Sequence, residues 1–184
     1  MKKLTFLLAI GVATLVSGCA ATNQEATQSS SQQVSSVVSS STLPEEVVAI
    51  GSSPLVFTQP TGWHLYTEEK INEDSDVELE NDAKNALLQI IQENKNDFTG
   101  GLKEYTAYFE KADFTDFEET QVEGVSVYKR TLDTVENGTN IHTEHYVFEK
   151  EGYYIQLQAT AIRSEQDTIR DVLKNIVTSI KKAS

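Results

Sequence analysis

Val127-Tyr128-Lys129-Arg130-Thr131-Leu132-Asp133-Thr134-Val135-Glu136-Asn137-Gly138-Thr139-Asn140-Ile141-His142-Thr143-Glu144-His145-Tyr146-Val147-Phe148 is a stretch rich in β-branched and aromatic residues, interrupted once by Asn-Gly. Asn-Gly is the strongest two-residue hairpin signal, because both residues tolerate the positive φ angles of a type I′ turn. Strands are therefore predicted over Val122–Val135 and Ile141–Phe148. A two-residue turn sets Asp133 opposite His142, Thr131 opposite Glu144, Lys129 opposite Tyr146 and Val127 opposite Phe148. A second turn at Lys150-Glu151-Gly152 leads to Tyr153–Ala161, where Tyr153, Ile155, Leu157, Ala159 and Ala161 alternate with Tyr154, Gln156, Gln158 and Thr160.

Outward from these hairpins, Ile169, Val172, Leu173, Ile176, Val177 and Ile180 recur at helical spacing on one face. Ser164 and Asp167 are placed for a cap and an acidic first turn, and Lys181-Lys182 fall at the negative end of the helix dipole. Toward the N-terminus, Asn85–Gln92 reads as a buried strand. Leu102, Tyr105, Phe109 and Ala112 form a helical stripe with Thr99 as its cap. Leu55–Thr58 is a short strand stopped by Pro60 and Gly62, and Leu43–Ile50 is read as a short helical turn at the domain edge. Antiparallel hairpins with helices set apart from them make the fold class α+β, the amphipathic C-terminal helix packing on the sheet.

Phe57-x-x-Pro60-x-Gly62-Trp63, followed by a helix, long central hairpins and a final amphipathic helix, resembles the PsbP-like (Mog1/PsbP) domain of small bacterial lipoproteins. The resemblance covers residues 54–184. It implies an antiparallel sheet with helices on its faces. It also implies assembly, binding or accessory roles with no common catalytic residues. Phe57, Pro60, Gly62 and Trp63 are a structural motif in this reading, Trp63 closing the end of the first strand ahead of a ligand-stacking role.

The N-terminus carries Lys2-Lys3, an apolar run from Leu4 to Val16, and then Ser17-Gly18-Cys19. That pattern is a secretory signal ending in a lipobox. The run is shorter than the ~20 apolar residues that a membrane span needs. Residues 1–18 are read as a signal peptide, and Cys19, the only cysteine of the chain, as the lipidated residue. Residues 19–43, dominated by Ser, Gln, Thr and Ala, are read as a flexible linker. The expected location is the outer face of the bacterial cytoplasmic membrane, anchored through lipid.

Loss of the signal removes Lys2 and Lys3 and no acid, so the formal charge passes from −13 to −15. Such a surface repels phosphate backbones, which excludes nucleic acid as a partner. No cofactor is implied. For binding, the predicted register gathers His142, Glu144, Tyr146 and Phe148 with Tyr154, Gln156 and Gln158 on one sheet face, provided the second turn is a three-residue loop. Aromatics and amides together suit a peptide, a glycan or an envelope protein. The plainer reading is an ordinary half-solvated sheet face, or one partly covered by the helix near Leu102.

Asp74, Asp76 and Glu78, with Glu80 and Asp82 beyond them, offer oxygen ligands, yet the spacing lacks the Gly and terminal Glu of an EF-hand loop. A solvated acidic loop is the favoured reading, with no metal assigned. His142 and His145 are predicted on opposite sheet faces, and His64 is read as a loop hydrogen-bonder. No nucleophile elbow, HExxH or paired-cysteine motif occurs, so no catalytic residue is assigned. The leading expectation is a non-catalytic binding or accessory module. A regulatory or exclusion lipoprotein and an envelope hydrolase are the alternatives.

Overall fold

The computed structural model describes residues 46–109 and 114–183. The signal peptide, the linker, Cys19 and Ala112 of the expected helical stripe lie outside them. In chain order the described elements are β1 (Val47–Ala49), β2 (Leu55–Thr58), β3 (His64–Leu65), β4 (Val77–Asn81), β5 (Ala86–Asn94), α1 (Leu102–Thr106), β6 (Glu118–Val122), β7 (Val125–Glu136), β8 (Thr139–Lys150), β9 (Tyr153–Ile162), α2 (Gln166–Ser179) and β10 (Lys181–Lys182). An antiparallel seven-stranded sheet runs β3-β4-β5-β9-β8-β7-β6, and a small sheet runs β1-β2-β10. The predicted α+β class is the one observed.

The first hairpin has the predicted register, with Asp133 opposite His142, Thr131 opposite Glu144, Lys129 opposite Tyr146 and Val127 opposite Phe148. Asn137 and Gly138 sit at φ +49° and +81°, as a type I′ turn requires. The second turn differs from expectation. Lys150 pairs with Tyr153, so only Glu151 and Gly152 make the turn, at φ +53° and +86°. One residue fewer in the loop moves every β9 side chain to the opposite face from the one expected. His142, Glu144, Tyr146 and Phe148 therefore face Ala161, Ala159, Leu157 and Ile155.

The predicted strand Val122–Val135 is two strands. Glu123 and Gly124 form a third two-residue turn at φ +48° and +85°, joining β6 to β7. The helix capped by Thr99 is a single turn instead, begun at Gly101, whose N–H is accepted by the Glu104 carboxylate at 3.0 Å. Residues 47–49, read as part of a helical turn, are strand, and Ile50 is fully buried beside them. Lys181 and Lys182 pair with Val56 and Leu55 rather than serving as helix-terminal charges.

Two apolar layers cover the large sheet. On one face Ile169, Val172, Leu173, Ile176 and Val177 of α2 pack on Leu88, Ile90, Phe148, Ile155 and Leu157, joined by Leu55 and Phe57 of the small sheet. On the other face Tyr105, Phe98 and Phe109 cover Val147, Tyr154 and Tyr128. Burying an aliphatic side chain of this size contributes about 1.5–3 kcal/mol, so both layers contribute to holding the sheet. Among the described residues no helix is long and apolar enough to cross a membrane.

Candidate functional site

Between β2 and β3 the chain turns at Thr58–Trp63. Gly62 takes φ +80°, the Trp63 N–H is accepted by the Pro60 carbonyl at 3.1 Å, and the Gln59 side-chain amide donates to the Trp63 carbonyl at 2.7 Å. The Gln59 N–H in turn reaches the Glu46 carbonyl at 2.8 Å, tying the loop to the start of β1. Phe57 is fully buried and Trp63 nearly so. The Phe-x-x-Pro-x-Gly-Trp motif thus builds a rigid loop hung on two aromatic plugs.

Facing this loop, α2 presents Thr168, Asp171, Val172, Asn175 and Ser179 at spacings of three and four residues, one stripe of its surface. The Ser179 hydroxyl accepts the Thr58 N–H at 3.3 Å and fixes the distance between loop and helix. A groove of about 630 Å³ lies between them, lined by Gln59, Pro60, Thr61 and Trp63 on one side and by the α2 stripe on the other. Its walls mix hydroxyls, amides, one carboxylate and the indole. That mixture offers apolar area and directional hydrogen bonds without a fixed charge pair.

The expected sheet site is not a surface. His142, Glu144, Tyr146 and Phe148 lie beneath α2, Tyr154, Gln156 and Gln158 lie on the opposite face, and all seven are buried. On the α2 face Glu144, with no exposed area, receives Lys129 Nζ at 3.2 Å, Arg170 Nε and Nη2 at 3.0 Å each, and the Tyr146 hydroxyl at 3.0 Å. Burial pushes its carboxyl up, but Lys129 and Arg170 outweigh burial and hold it below the usual carboxylate range. Burial, then Glu144, push the Tyr146 phenol up. His142 Nδ1 lies 2.6 Å from Asp133 Oδ1, and its Nε2 lies 3.4 Å from Glu144 Oε1. Arg163 also bonds Asp133, and the hydrogen bonds from Arg163 and His142 hold that carboxyl below its ordinary value.

On the opposite face Tyr154 stacks on Tyr105, with ring centres 4.6 Å apart, and donates to the Gly100 carbonyl at 3.0 Å. Gln156 donates to the Tyr105 hydroxyl at 2.8 Å. His145 is on this side, away from His142 as predicted, and its Nδ1 accepts from Arg130 Nε at 3.1 Å. Burial, then the Arg130 charge, bring the His145 imidazolium down to about 3, so the ring is neutral. The Arg130 guanidinium carbon lies 4.4 Å and 4.5 Å from the ring centres of Phe114 and Phe117, and burial lowers it to about 10.

The acidic segment is also sorted by the strands. Glu78 accepts the Ile71 and Asn72 N–H groups and the Gln89 amide, each at 2.9 Å, which makes it an internal strut. Asp76 accepts the Gln92 N–H at 2.8 Å, and burial raises its carboxyl against that bond and Lys70. Asp74, Asp76 and Glu78 are not gathered around a common point. Among the described residues the histidine and acidic side chains that converge are His64, Glu80 and Asp82, whose ligand atoms lie within 4.8 Å of one another. His64 is thus an acid-paired residue, 3.2 Å from Glu80 and 3.7 Å from Asp82. Periodicity did not reveal the groove or this cluster. The signal available for the groove was the row of polar residues bordering the apolar stripe of α2.

No family model and no curated protein matches the chain. Among solved structures it is similar to a protein from Bacteroides thetaiotaomicron, with a TM-score of 0.54 and 10% identity, over 77% of this chain and 50% of that one. The chain thus spans half the length of that protein. It is also similar to the Ran-binding protein Mog1p from Saccharomyces cerevisiae, with a TM-score of 0.50 and 10% identity, over 75% of this chain and 95% of that one. The cyanobacterial PsbP (CyanoP) from Synechocystis sp. PCC 6803 matches with a TM-score of 0.41 and 16% identity, over 71% of this chain and 87% of that one. At these identities the likeness is one of fold, and it is with the Bacteroides protein and Mog1p that the chain shares its α+β arrangement.

Proposed function

We propose that the chain is a lipid-anchored extracytoplasmic module that binds a peptide or glycan strand of the cell envelope, or an exposed segment of an envelope protein, without catalysing a reaction. The observation that carries this reading is the groove between the Thr58–Trp63 loop and α2, with an indole, hydroxyls and amides on its walls. The fold serves binding in Mog1p, a Ran-binding protein, which supports a protein or peptide ligand. Tethering at Cys19 supplies location. As a flexible coil, the roughly 22 residues from 21 to 42 within the linker would hold the domain on the order of 25 Å from the bilayer on average and let it reach ~75 Å when stretched. The formal charge, −13 in the full sequence and −15 once Lys2 and Lys3 are lost with the signal, keeps the domain off anionic headgroups.

A hydrolytic reading finds no support at the most enzyme-like cluster. Asp133 orients His142 as in a triad, but the second imidazole nitrogen faces Glu144 at 3.4 Å and the ring is buried. A carboxylate fills the place a hydroxyl nucleophile takes in a triad.

Trp63 is the only tryptophan and lines the groove, so its fluorescence reports entry of a ligand. The full chain in detergent micelles is titrated with lysozyme-released peptidoglycan fragments, and with the same fragments after amidase has removed their stem peptides. A saturable change in emission, weakened about tenfold or more by Asn175→Arg, supports the groove reading. Loss of binding after amidase assigns the peptide. Flat titrations with both probes, or an unaltered affinity in Asn175→Arg, refute it. For the anchor, Cys19→Ala should move the protein from the membrane to the soluble fraction.

A further inference from the structure

The structure assigns a divalent transition-metal site, Zn²⁺ by ligand chemistry, to His64 Nε2, Glu80 Oε1 and Asp82 Oδ2 at the β3 edge of the large sheet. His64 and Glu80 are direct cross-strand partners. Asp82 follows Glu80 by two residues, at the start of a short 3-10 turn, which returns its side chain to the Glu80 side of the strand. Three donors from two segments separated by 15 residues of chain are thereby brought to one point.

Zinc–nitrogen and zinc–oxygen bonds of ~2.0–2.2 Å place neighbouring donors of one coordination shell about 3.0–3.6 Å apart. The imidazole-to-carboxylate separations are 3.2 Å and 3.7 Å, so closing the shell needs movements of tenths of an ångström on that side. Asp82, with its side chain 81% exposed, is free to supply the remaining adjustment. The half-exposed imidazole leaves the outer positions to water, giving three protein ligands and an open site.

Charge favours occupation. Two carboxylates and a neutral imidazole bring −2 to the ion. Lys84, the nearest cation in sequence, bonds Glu165 at 3.1 Å. An imidazole donor selects a transition metal over Ca²⁺ or Mg²⁺, which prefer oxygen alone. The ion would clip β3, a strand of only two residues, and the Pro60–Trp63 loop onto the β4–β5 turn.

The test is calorimetric titration of the full, untagged chain with ZnCl₂ and with CaCl₂, alongside His64→Ala and Asp82→Asn. The expected result is one Zn²⁺ per chain at this site with a Kd on the order of micromolar, and Ca²⁺ at least about a hundredfold weaker. Each variant should weaken Zn²⁺ by about tenfold or more while unfolding at the wild-type temperature in EDTA. Should His64→Ala alter the EDTA melting temperature, Asp82→Asn decides, because that side chain is the more exposed. The His64 ring proton resonances should shift with added Zn²⁺ while those of buried His142 and His145 stay fixed. That readout separates this site from a thiolate at Cys19. Equal Zn²⁺ affinity in the variants, unmoved His64 resonances at saturation, or Ca²⁺ binding as tight as Zn²⁺ would overturn the assignment.

Discussion

Replacing Glu144 with alanine probes the charged network that joins α2 to the sheet. The carboxylate has no exposed area and carries Lys129 and Arg170 at 3.0–3.2 Å together with the Tyr146 hydroxyl. Its removal leaves two cations and a phenol in a site built to face an anion, and breaking a buried pair in this way costs about 3–5 kcal/mol. Against a total stability of about 5–15 kcal/mol that is a large share, and at the size of this domain it lowers Tm by about 10–20 °C. Urea unfolding followed by Trp63 emission measures the loss, because that indole is nearly fully buried in the native state. Lys95–Glu149, a pair at 2.7 Å with both side chains about two-fifths exposed, is the control. Glu149→Ala should cost about 1 kcal/mol or less.

The pH dependence gives a second reading of the same residue. Its folded carboxyl lies below the unfolded value of about 4.3, so the network stabilises the fold above that pH and loses its contribution as pH falls through the lower folded value. Glu144→Ala should flatten that acid limb. A loss no larger than the Glu149→Ala control, with an unchanged acid limb, would refute the reasoning.

His145 titrates in the opposite chemical sense but produces a loss on the same side. With its folded value near 3 and an unfolded value of about 6.5, the unfolded chain takes up a proton that the fold declines, so stability falls by about 2 kcal/mol between pH 6.5 and 5. Guanidinium melts of His145→Gln at those two pH values should show this part of the slope removed. Gly51 and Gly124 separate clash from backbone strain. At Gly51, φ +53°, an added Cβ collides with Asp76 Oδ1, whereas at Gly124, φ +85°, nothing lies within 4 Å. Gly124→Ala should cost about 1 kcal/mol and Gly51→Ala at least about 2 kcal/mol, read as shifts in denaturation midpoint. Trp63→Ala should cost about 3–5 kcal/mol in the same assay if the indole plugs the core as its burial indicates.

Much of the architecture could be read from local chemistry. Asn137-Gly138 specified a turn whose register held through four pairs, because the turn geometry and the strand twist are both local properties. The α2 stripe was legible for the same reason, requiring only its own periodicity, whereas Asn85–Gln92 is an apolar run that periodicity alone cannot assign and that was read as the buried strand it is. The Glu-Gly pairs at 123–124 and 151–152 were misread. Glutamate at positive φ carries little turn signal, although the same dipeptide at both hairpin ends was available as one.

The candidate site was less legible. One residue too many in the second turn put Tyr154, Gln156 and Gln158 on the same face as Tyr146, whereas the two-residue turn divides them between faces that separate layers cover. Whether a polar sheet face meets water depends on what packs over it, and α1 reaches its place through tertiary contacts.

By itself the sequence determined the α+β class, the first hairpin register, the amphipathic helix and the acidic charge, because periodicity, turn chemistry and ionisable-group counts are properties of neighbouring residues. Only the tertiary structure decided that the polar β8 and β9 residues are buried, that a groove opens between the Thr58–Trp63 loop and α2, and that His64 meets Glu80 and Asp82. Those outcomes turn on loop closure and on packing between segments that lie from 16 to 121 residues apart, where a single-residue slip reverses which side of a strand meets the core.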